Sequence, residues 1–515
     1  MQDNKLILWQ KGLNTNPDFA FVKKLLLQLP TAEIYLVGGA VRDLLLDKKG
    51  TNPIYPGGVK DFDFVIKNIP AKELEKVLAK LGKVNLVGKH FGVFKFRPQG
   101  LAKDLEDLDI ALPRTERSFG TGGYHDFDIT SDPNLPIEQD LARRDFTINA
   151  LAWPITKTEI TLNNLIDPFG GLADLQTKTI RTVGQPAERF AEDYTRLMRG
   201  VRLAVQLDFT IEPETAMVIK KLAKKINEVS VERVREELDK ILLTANAEAG
   251  IRLLKDLDIL SAILPELAKP WEVDQNRSHI FTIGEHSVRA LGFAVQDQAT
   301  LALRWAALLH DIGKPITKQG TGLTATFYDH DLVGAKVTKN ILTRLKYSDD
   351  FIKQVSHLVR YHMFYYSLGE ITDAGLRRFI VRVGAEYIAD LIKLRTYDRL
   401  GMGRPKAKPY KLLEMEQRLQ EVVLEPLGPK MLKIKGDDLM KALKIAPSPR
   451  VGLLLGALLA EVLQEPTKNE RDYLLKKLTA LNKLTDDKLK PLQPDLDDWE
   501  SKRKKFHKYN LKKDD

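Results

Sequence analysis

The chain contains no cysteine, which excludes disulfide scaffolds, thiolate catalysis and cysteine-ligated zinc. Any metal site must therefore use Asp, Glu or His side chains. No apolar run is long enough to span a membrane, and the first residues show no basic segment followed by a cleavable apolar stretch. These absences predict a cytoplasmic protein with no membrane segment.

The length and charge of the chain indicate several domains and a polyanionic partner. A chain of 515 residues has room for three or four domains. Its 80 Lys and Arg residues outnumber its 70 Asp and Glu residues, which gives a net charge of +10. This balance favours a polyanion such as nucleic acid as a partner, without identifying it.

Strand and helix patterns alternate up to about residue 160, and helical patterns dominate the rest of the chain. A strand at Glu33–Val37 runs into a glycine turn and a helix, and a second helix is predicted over Ala71–Leu81. One continuous helix is predicted over Phe190–Val205, whereas residues 113–137 lack periodicity and predict a loop. Four further strands are predicted at Asp61–Ile66, Lys83–Val87, Val93–Arg97 and Leu108–Leu112.

A glycine turn and three carboxylates suggest phosphate and metal chemistry in the first part of the chain. Gly38 and Gly39 allow the backbone N–H groups at a helix start to approach a phosphate. Asp61 and Asp63 alternate along a strand and share a face, where their charges repel unless a cation lies between them. Asp109, on another predicted strand, can complete the cluster. Such a cluster is typical of two-metal phosphoryl or nucleotidyl transfer.

Six motifs in a fixed order extend this interpretation. They are GGAVRD, DFD, DIALPRTE, RRDFTINAL from Arg143, DPFGGLADL from Asp167, and RFAEDYTRLMRGVRLA from Arg189. In order and approximate spacing they resemble the family of class II tRNA nucleotidyltransferases and bacterial poly(A) polymerases, over about residues 31–250. The resemblance implies an α+β protein. Its head would be a mixed sheet with helices of the polymerase β nucleotidyltransferase type, followed by all-α neck, HD and tail domains.

The same resemblance assigns roles in the head. Asp61 and Asp63 would be the metal ligands, with Asp109 as a third catalytic carboxylate. The RRD motif would bind the nucleotide ribose: Asp145 can accept from the 2′-hydroxyl, while Arg143 or Arg144 pairs with phosphate or with Asp145. Asn149 is expected to cap the local backbone. The nucleotide-binding set predicted near the glycine turn is Gly38, Gly39 and Arg42.

The EDYTR motif is predicted to read the incoming base. On a helix, Asp193 and Arg196 would be neighbours on one face, with an acceptor-only group beside a donor-only group. This pair complements C and A, which offer an exocyclic amine beside a ring-nitrogen acceptor, whereas G and U have the opposite pattern. Arg196, Arg199 and Arg202 would continue as a cationic stripe suited to a triphosphate, with Glu192 as an orienting partner. The alternative is a surface helix with internal salt bridges.

Histidines are concentrated in the middle of the chain, where six of the nine lie between His279 and His362. His310 and Asp311 end an apolar helix, and together with His286 and Asp398 they resemble the H…HD…D pattern of the HD metal-phosphohydrolase superfamily. His330 and His362 match positions that can extend the site to a second ion, and Lys314 is placed to meet a phosphate. Imidazole and carboxylate ligands suit Ni²⁺, Mn²⁺, Co²⁺ or Mg²⁺.

The sequence thus predicts template-independent addition of CCA to the 3′ end of tRNA from CTP and ATP, with two Mg²⁺ ions in the head and a phosphohydrolase activity in the HD domain. The alternatives are a poly(A) polymerase, a CC-adding or A-adding enzyme, and an HD phosphohydrolase or RNA-binding protein with a non-catalytic head. The oligomeric state, the Lys48–Val59 insertion and the basic C-terminal segment are left without a predicted role. The predicted segments are an N-terminal helical extension (1–30), the head (31–160), the neck (161–264), the HD domain (265–400) and a tRNA-binding tail (401–515).

Overall fold

The computed structural model describes residues 20–46, 62–87, 93–101, 107–118, 127–155, 164–275, 280–364, 372–403, 410–423 and 432–494. Asp61, the Lys48–Val59 insertion and the basic C-terminal residues 501–515 lie outside this described part. Two compact units, Met1–Pro265 and Glu266–Asp515, make up the chain. No described helix combines the length and the apolar character that crossing a bilayer requires.

The first unit opens with the head sheet and its helices. Its elements are α1 (Ala20–Gln28), β1 (Glu33–Val37), α2 (Gly39–Leu46), β2 (Asp63–Lys67), α3 (Ala71–Leu81), β3 (Gly82–Val87), β4 (Val93–Pro98), β5 (Leu108–Ala111), β6 (Arg114–Ser118), β7 (Phe127–Ser131), α4 (Ile137–Ala142) and β8 (Ala152–Ile155). The main sheet has the order β3-β4-β5-β2-β1-β8. The β2–β5 pair is parallel and the other four pairs are antiparallel. It is therefore a mixed sheet, as predicted.

Residue patterns explain the head elements that matter for the site. Four of the five β1 residues are buried, as expected for a strand in the interior of a sheet with both faces covered. In α3 the residues that repeat at helical spacing, Leu74, Val77, Leu78 and Leu81, are the buried ones. Both elements have the predicted bounds. The segment 113–137, predicted as a loop, instead contains the antiparallel pair β6–β7 and the start of α4.

The rest of the first unit is helical apart from one short parallel strand pair. It contains α5 (Gly171–Gln176), β9 (Thr179–Ile180), α6 (Pro186–Glu192), α7 (Thr195–Leu207), β10 (Thr210–Ile211), α8 (Pro213–Leu222), α9 (Val231–Leu243), α10 (Ala247–Asp256) and α11 (Ile259–Ile263), with α12 (Pro265–Ala268) at the division between the units. The predicted single helix over Phe190–Val205 is wrong, because the chain is extended at Asp193 between α6 and α7. Gly200 of α7 lets the helix approach the ring of Phe146, which lies in the head.

The described strands all lie in the first unit; the second unit is helical. Its helices are α13 (Ile283–Gln296), α14 (Leu301–Leu309), α15 (Lys314–Thr317), α16 (His330–Arg344), α17 (Asp349–Tyr361), α18 (Asp373–Val383), α19 (Ile388–Gly401), α20 (Tyr410–Val423), α21 (Gly436–Leu443), α22 (Pro449–Gln464), α23 (Arg471–Leu481) and α24 (Asp486–Leu489). The last four helices share an apolar core, against which Val381 of α18 also packs. The predicted fold class, a mixed-sheet head followed by helices, is confirmed.

Candidate active sites

The glycine turn between β1 and α2 lies beside a carboxylate and an arginine. Gly38 has φ of +73°, and its N–H donates to the carbonyl of Leu151 at 3.1 Å. A Cβ atom at Gly38 would lie 2.6 Å from Arg144 Nη1 and 3.5 Å from Asp63 Oδ2. The absence of a side chain therefore leaves open the space into which Asp63 and Arg144 point.

Sheet register explains why the carboxylates gather beside this turn. Val37, the last residue of β1, pairs with Asp63, the first residue of β2, and Asp63 in turn pairs with Asp109 in the parallel strand β5. Lys95 of β4 lies opposite Asp109, with its Nζ 2.6 Å from Oδ1. The structure thus brings Asp63 and Asp109 together, while the predicted ligand Asp61 lies outside the described residues. Carboxylate oxygens are the ligands that Mg²⁺ prefers, so the donor set fits such an ion.

Asp145 of the RRD motif is buried and held from two sides. Its Oδ2 lies 2.7 Å from Arg199 Nη2, and its Oδ1 accepts from Asn149 Nδ2 at 3.2 Å. Burial alone would raise the pKa of Asp145, but the charges of Arg199 and Arg196 outweigh it and hold the pKa well below its usual range. Asp145 is therefore an ionised acceptor.

Arg143 and Arg144 both form ion pairs with Asp140. Their guanidinium groups lie 2.9 and 3.6 Å from the buried carboxylate of Asp140, three and four residues earlier. The reason for these pairs is local: α4 places Asp140 within one helical turn of both arginines. The pair of either arginine with phosphate or with Asp145 stays a prediction.

The predicted arrangement of Asp193 and Arg196 on one helix face is also wrong. Asp193 precedes α7, and its Oδ1 accepts from the N–H of Thr195 at 2.9 Å, as a helix-capping carboxylate does. Its Oδ2 accepts from Arg233 Nη2 at 2.6 Å. Burial raises the pKa of Asp193, but the hydrogen bonds and charge of Arg233 and the Thr195 backbone lower it overall. The two residues stay close through the backbone, because the Arg196 N–H donates to the Asp193 carbonyl at 3.0 Å.

The arginines of α7 do share a face, but carboxylates from other segments offset their charge. Arg196 is buried and contacts Glu192, which confirms the predicted partner. Arg202 Nε donates to Glu237 of α9 at 2.7 Å, and Arg199 pairs with Asp145. The stripe is therefore a set of ion pairs between α7 and its neighbours.

Asn149 is the residue whose role the sequence did not indicate. It was expected to cap the local backbone, but its Oδ1 accepts from Arg42 Nη1 at 2.7 Å, across 107 residues of chain. Its Nδ2 reaches Asp145, four residues earlier, as described above. The only available signal was this four-residue spacing, which brings Asn149 back over the RRD motif when the chain turns.

In the second unit, helices α13, α14 and α19 converge on the predicted HD site. His286 Nε2 lies 3.0 Å from His310 Nε2, 3.1 Å from Asp398 Oδ1 and 3.4 Å from Asp311 Oδ2. His310 Nε2 lies 3.3 Å from the same Asp311 oxygen. All four side chains are buried. The structure therefore brings together the four residues of the predicted pattern.

A second group of candidate ligands lies around the other oxygen of Asp311. His330 Nε2 and His362 Nε2 lie 3.4 and 3.7 Å from Asp311 Oδ1. Asp311 thus belongs to two clusters that are compact enough to hold a metal ion, one with His286 and His310 and one with His330 and His362. The geometry fits the predicted possibility of two ions.

Backbone contacts orient three of these imidazoles for a metal. The Nδ1 atoms of His310, His330 and His362 lie 2.8, 2.7 and 2.7 Å from backbone carbonyl oxygens. A carbonyl only accepts, so Nδ1 carries the hydrogen, and in the neutral form of each ring Nε2 presents its lone pair to the centre. The Nε2 atoms of His330 and His362 are buried and make no hydrogen bond with the protein. Divalent metal use is expected for both the head and the HD domain, and these residues fit it.

Burial and the neighbouring carboxylates shift the pKa values of two histidines in the HD site. Burial lowers the pKa of His330 to about 3, despite the opposing charge of Asp311. Burial also acts to lower the pKa of His310, but Asp311 and Asp398 raise it to about 10. Lys314 Nζ lies 2.6 Å from Asp311 Oδ2 and donates to Gln275 Oε1 at 2.7 Å. Lys314, which was predicted to meet a phosphate, therefore adjoins the carboxylate that both clusters share.

Three family models match successive parts of the chain. They are described as the poly A polymerase head domain (residues 34–181), a probable RNA and SrmB-binding site of polymerase A (208–269) and the HD domain (283–401). HD domains form a metal-dependent phosphohydrolase family. The three matches follow one another in the order that the motifs predict.

Curated relatives and solved structures agree with these matches. An A-adding tRNA nucleotidyltransferase of Deinococcus radiodurans is 36% identical over 65% of this chain and 76% of its own length. A multifunctional CCA protein of Xanthomonas axonopodis is 34% identical over 76% of this chain and 91% of its own length. The CCA-adding enzyme of Bacillus stearothermophilus in complex with CTP has the same fold, with a TM-score of 0.65 at 22% identity over 92% of this chain and 98% of its own. The chain is an enzyme of the tRNA nucleotidyltransferase family that includes the CCA-adding enzymes, and it carries an HD domain.

Proposed function

We propose that this enzyme adds C, C and A to the 3′ end of tRNA, using CTP and ATP and no template. The single observation that carries the proposal is the meeting of Gly38, Asp63, Asp109 and Arg144 at one end of the head sheet. Carboxylates beside a backbone phosphate site are what nucleotidyl transfer requires. A net charge of +10 suits a tRNA partner, and a homologous fold is known from a Thermotoga maritima CCA-adding enzyme complexed with tRNA.

In this reaction the 3′-oxygen of the tRNA attacks the α-phosphorus of the nucleotide, and the bond to the β-phosphate breaks to release pyrophosphate. Asp63, with Asp61 and Asp109, would hold two Mg²⁺ ions. When bound, such ions supply activation of the 3′-hydroxyl and positive charge for the leaving pyrophosphate. The chain itself holds the triphosphate through the backbone of the glycine turn and through Arg42 and Arg144.

Base selection is assigned to Asp193 and Arg196 at the start of α7, and ribose selection to Asp145 of the RRD motif. The carboxylate of Asp193 accepts from the exocyclic amine of C or A, and the guanidinium of Arg196 donates to the adjacent ring nitrogen. Asp145, held ionised by Arg199, accepts from the ribose 2′-hydroxyl. Arg143, Arg199 and Arg202 complete the proposed nucleotide-binding set.

We further propose that the HD domain hydrolyses phosphate esters. His286, His310, Asp311 and Asp398 would hold a divalent ion such as Ni²⁺, Mn²⁺, Co²⁺ or Mg²⁺, and His330 and His362 would extend the site to a second. A 2′,3′-cyclic phosphate is the first substrate to test, because an RNA end blocked in this way offers no free hydroxyl to the head. The proposed tRNA substrate supports a cytoplasmic location for this enzyme.

The domain bounds predicted from the sequence are retained as part of the proposal: head 31–160, neck 161–264, HD domain 265–400 and tail 401–515. The division between compact units at Pro265 supports the boundary between neck and HD domain. The short extension 1–30 contributes α1 to the head.

One experiment decides among the nucleotide specificities. Three tRNA transcripts lacking CCA, CA or only the terminal A are incubated with each nucleoside triphosphate separately and with CTP and ATP together, and the products are sequenced. Extension of all three to CCA is expected. A second candidate, an A-adding enzyme, is favoured by the 36% identity to the Deinococcus radiodurans protein, and it predicts extension of the last transcript alone. A run of many A residues would instead indicate a poly(A) polymerase.

A further inference from the structure

Asn149 lies where three of the proposed nucleotide-binding residues meet. Its side chain is 7% exposed, in a short 3₁₀ turn over Thr147–Asn149. Its Oδ1 accepts from Arg42 Nη1 at 2.7 Å, and its Nδ2 donates to Asp145 Oδ1 at 3.2 Å. Its main-chain oxygen lies 3.5 Å from Arg144 Nη1. Asn149 thus contacts both Arg42, which is proposed to bind the triphosphate, and Asp145, which is proposed to bind the ribose.

An amide side chain satisfies both partners. Arg42 has donors only, and ionised Asp145 has acceptors only. An amide offers one oxygen to the first and one N–H to the second, so it joins two opposite charges without carrying a charge itself. A carboxylate at position 149 would keep the contact with Arg42 but face Asp145 with a like charge. A hydrocarbon would satisfy neither, and both buried groups would lose a hydrogen bond.

The two groups that Asn149 joins are fixed at their other ends as well. Arg42 donates from Nε to Asp43 at 2.7 Å, and its Nη2 lies 3.3 Å from the place where a Cβ of Gly39 would be. The guanidinium therefore lies against the glycine turn. Asp145 is bound on its other oxygen by Arg199. Asp145 Oδ1 also accepts from the Phe146 N–H at 2.9 Å, so Asn149 supplies the second contact of this oxygen and a contact to the far end of Arg42.

We propose that Asn149 is a positioning residue that sets the phosphate arm and the ribose arm of the nucleotide site together. It orients the Arg42 guanidinium beside the glycine turn and turns the Asp145 carboxylate toward the ribose. The inference rests on the proposed function, in which Arg42 serves the triphosphate and Asp145 serves the 2′-hydroxyl. Nucleotide affinity would then depend on Oδ1 of Asn149, which holds Arg42, and sugar selection on Nδ2, which holds Asp145.

Two variants separate these atoms. Asn149→Asp keeps the acceptor for Arg42 and loses the donor to Asp145, whereas Asn149→Leu loses both. With a tRNA transcript and nucleotide that the parent uses, kcat and KM are measured for the nucleotide and for its 2′-deoxy counterpart. Loss of a hydrogen bond to a charged group is worth about tenfold or more. Asn149→Asp should lower the preference for ribose over deoxyribose by about tenfold with KM close to that of the parent, and Asn149→Leu should also raise KM by about tenfold.

A matched control exists on the opposite end of the same sheet. Asn68 Nδ2 donates to Glu33 Oε1 at 3.0 Å in an exposed position. Asn68→Asp therefore also replaces an amide donor by a carboxylate beside a carboxylate, but away from the nucleotide site. It should leave both KM and sugar preference at the parental values, and melting curves of all variants show whether folding is retained.

The outcomes distinguish the inference from the function on which it rests. If the parent extends no tRNA transcript, the proposed function fails and the inference fails with it. If the parent extends tRNA but both Asn149 variants keep the parental KM and sugar preference, the inference alone is overturned. A lower melting temperature with unchanged sugar preference likewise overturns it, since that is the result of a purely structural role. Should Asn149→Leu not fold, the isosteric Asn149→Asp decides.

Discussion

Replacing Gly38 by alanine tests the head site at its most crowded point. The backbone there has φ of +73°, which a residue with a Cβ adopts at a cost of about 1–2 kcal/mol. The new Cβ would also lie 2.6 Å from Arg144 Nη1 and 3.5 Å from Asp63 Oδ2. The first distance is shorter than van der Waals contact allows, so the guanidinium must move by several tenths of an ångström or more. Two effects are therefore combined in one substitution.

Gly170 separates these effects because it has the same backbone conformation without the neighbours. Its φ is +74°, and a Cβ added there would meet nothing within 4 Å. Gly170→Ala and Gly38→Ala should therefore lower the free energy of unfolding by similar amounts, about 1–2 kcal/mol each. Only Gly38→Ala should also fill the phosphate site and displace Arg144. A misplacement of about 1 Å in an active site costs about 10²-fold in rate.

The assay is the initial rate of labelled nucleotide incorporation into a tRNA transcript that lacks its 3′ end, with melting curves measured on the same samples. We expect kcat/KM to fall by about 10² or more in Gly38→Ala and to stay within about threefold of the parent in Gly170→Ala. Equal losses of activity in the two variants would refute the reasoning, because backbone strain alone would then explain the loss.

Three further predictions follow from the two centres. Asp63→Asn should abolish nucleotide addition while the melting temperature stays near the parental value, and near-parental incorporation would contradict the metal-ligand assignment. Asp193→Ala should lower discrimination for C and A against G and U by about 10², measured as the ratio of kcat/KM values; unchanged ratios would mean that another residue reads the base. The double variant His310→Ala, Asp311→Ala should lose hydrolysis of 2′,3′-cyclic phosphates and keep nucleotide addition. Added Ni²⁺ or Mn²⁺ should raise the melting temperature of the parent but not of this variant, and a folded variant with parental hydrolysis would show that the histidines are structural.

The sequence predicted well those features that depend on local patterns. Strand β1 and helix α3 have their predicted bounds, because a short apolar run marks the strand and the helical spacing of apolar residues marks the helix. The meeting of Asp63 and Asp109 was also expected, since strands that carry the family motifs belong to one sheet. Their exact register, by contrast, is a property of the β2–β5 pairing that no local pattern shows.

The break before α7 shows why the base-reading geometry was not predicted. Apolar residues continue at helical spacing through Phe190–Val205, and neither Gly nor Pro interrupts them where α6 ends at Glu192. The interruption comes from the side chain of Asp193, which accepts from the Thr195 N–H and so replaces a helical backbone hydrogen bond. An Asp just before a helix is a start signal in its own right. The apolar spacing therefore predicted one continuous helix, whereas Asp193 indicated a new helix start. The structure has the new start.

The arginines of α7 show the limit of counting charge along one helix. Arg196, Arg199 and Arg202 do lie three residues apart on one helix, as predicted. A guanidinium that is largely removed from water requires a counter-charge, however, and the structure supplies one to each from another segment: Glu192, Asp145 and Glu237. Spacing determines which side chains share a face, whereas the charge that the face offers depends on carboxylates that only tertiary packing brings there. The positive charge available to a triphosphate is therefore smaller at α7 than its sequence suggests.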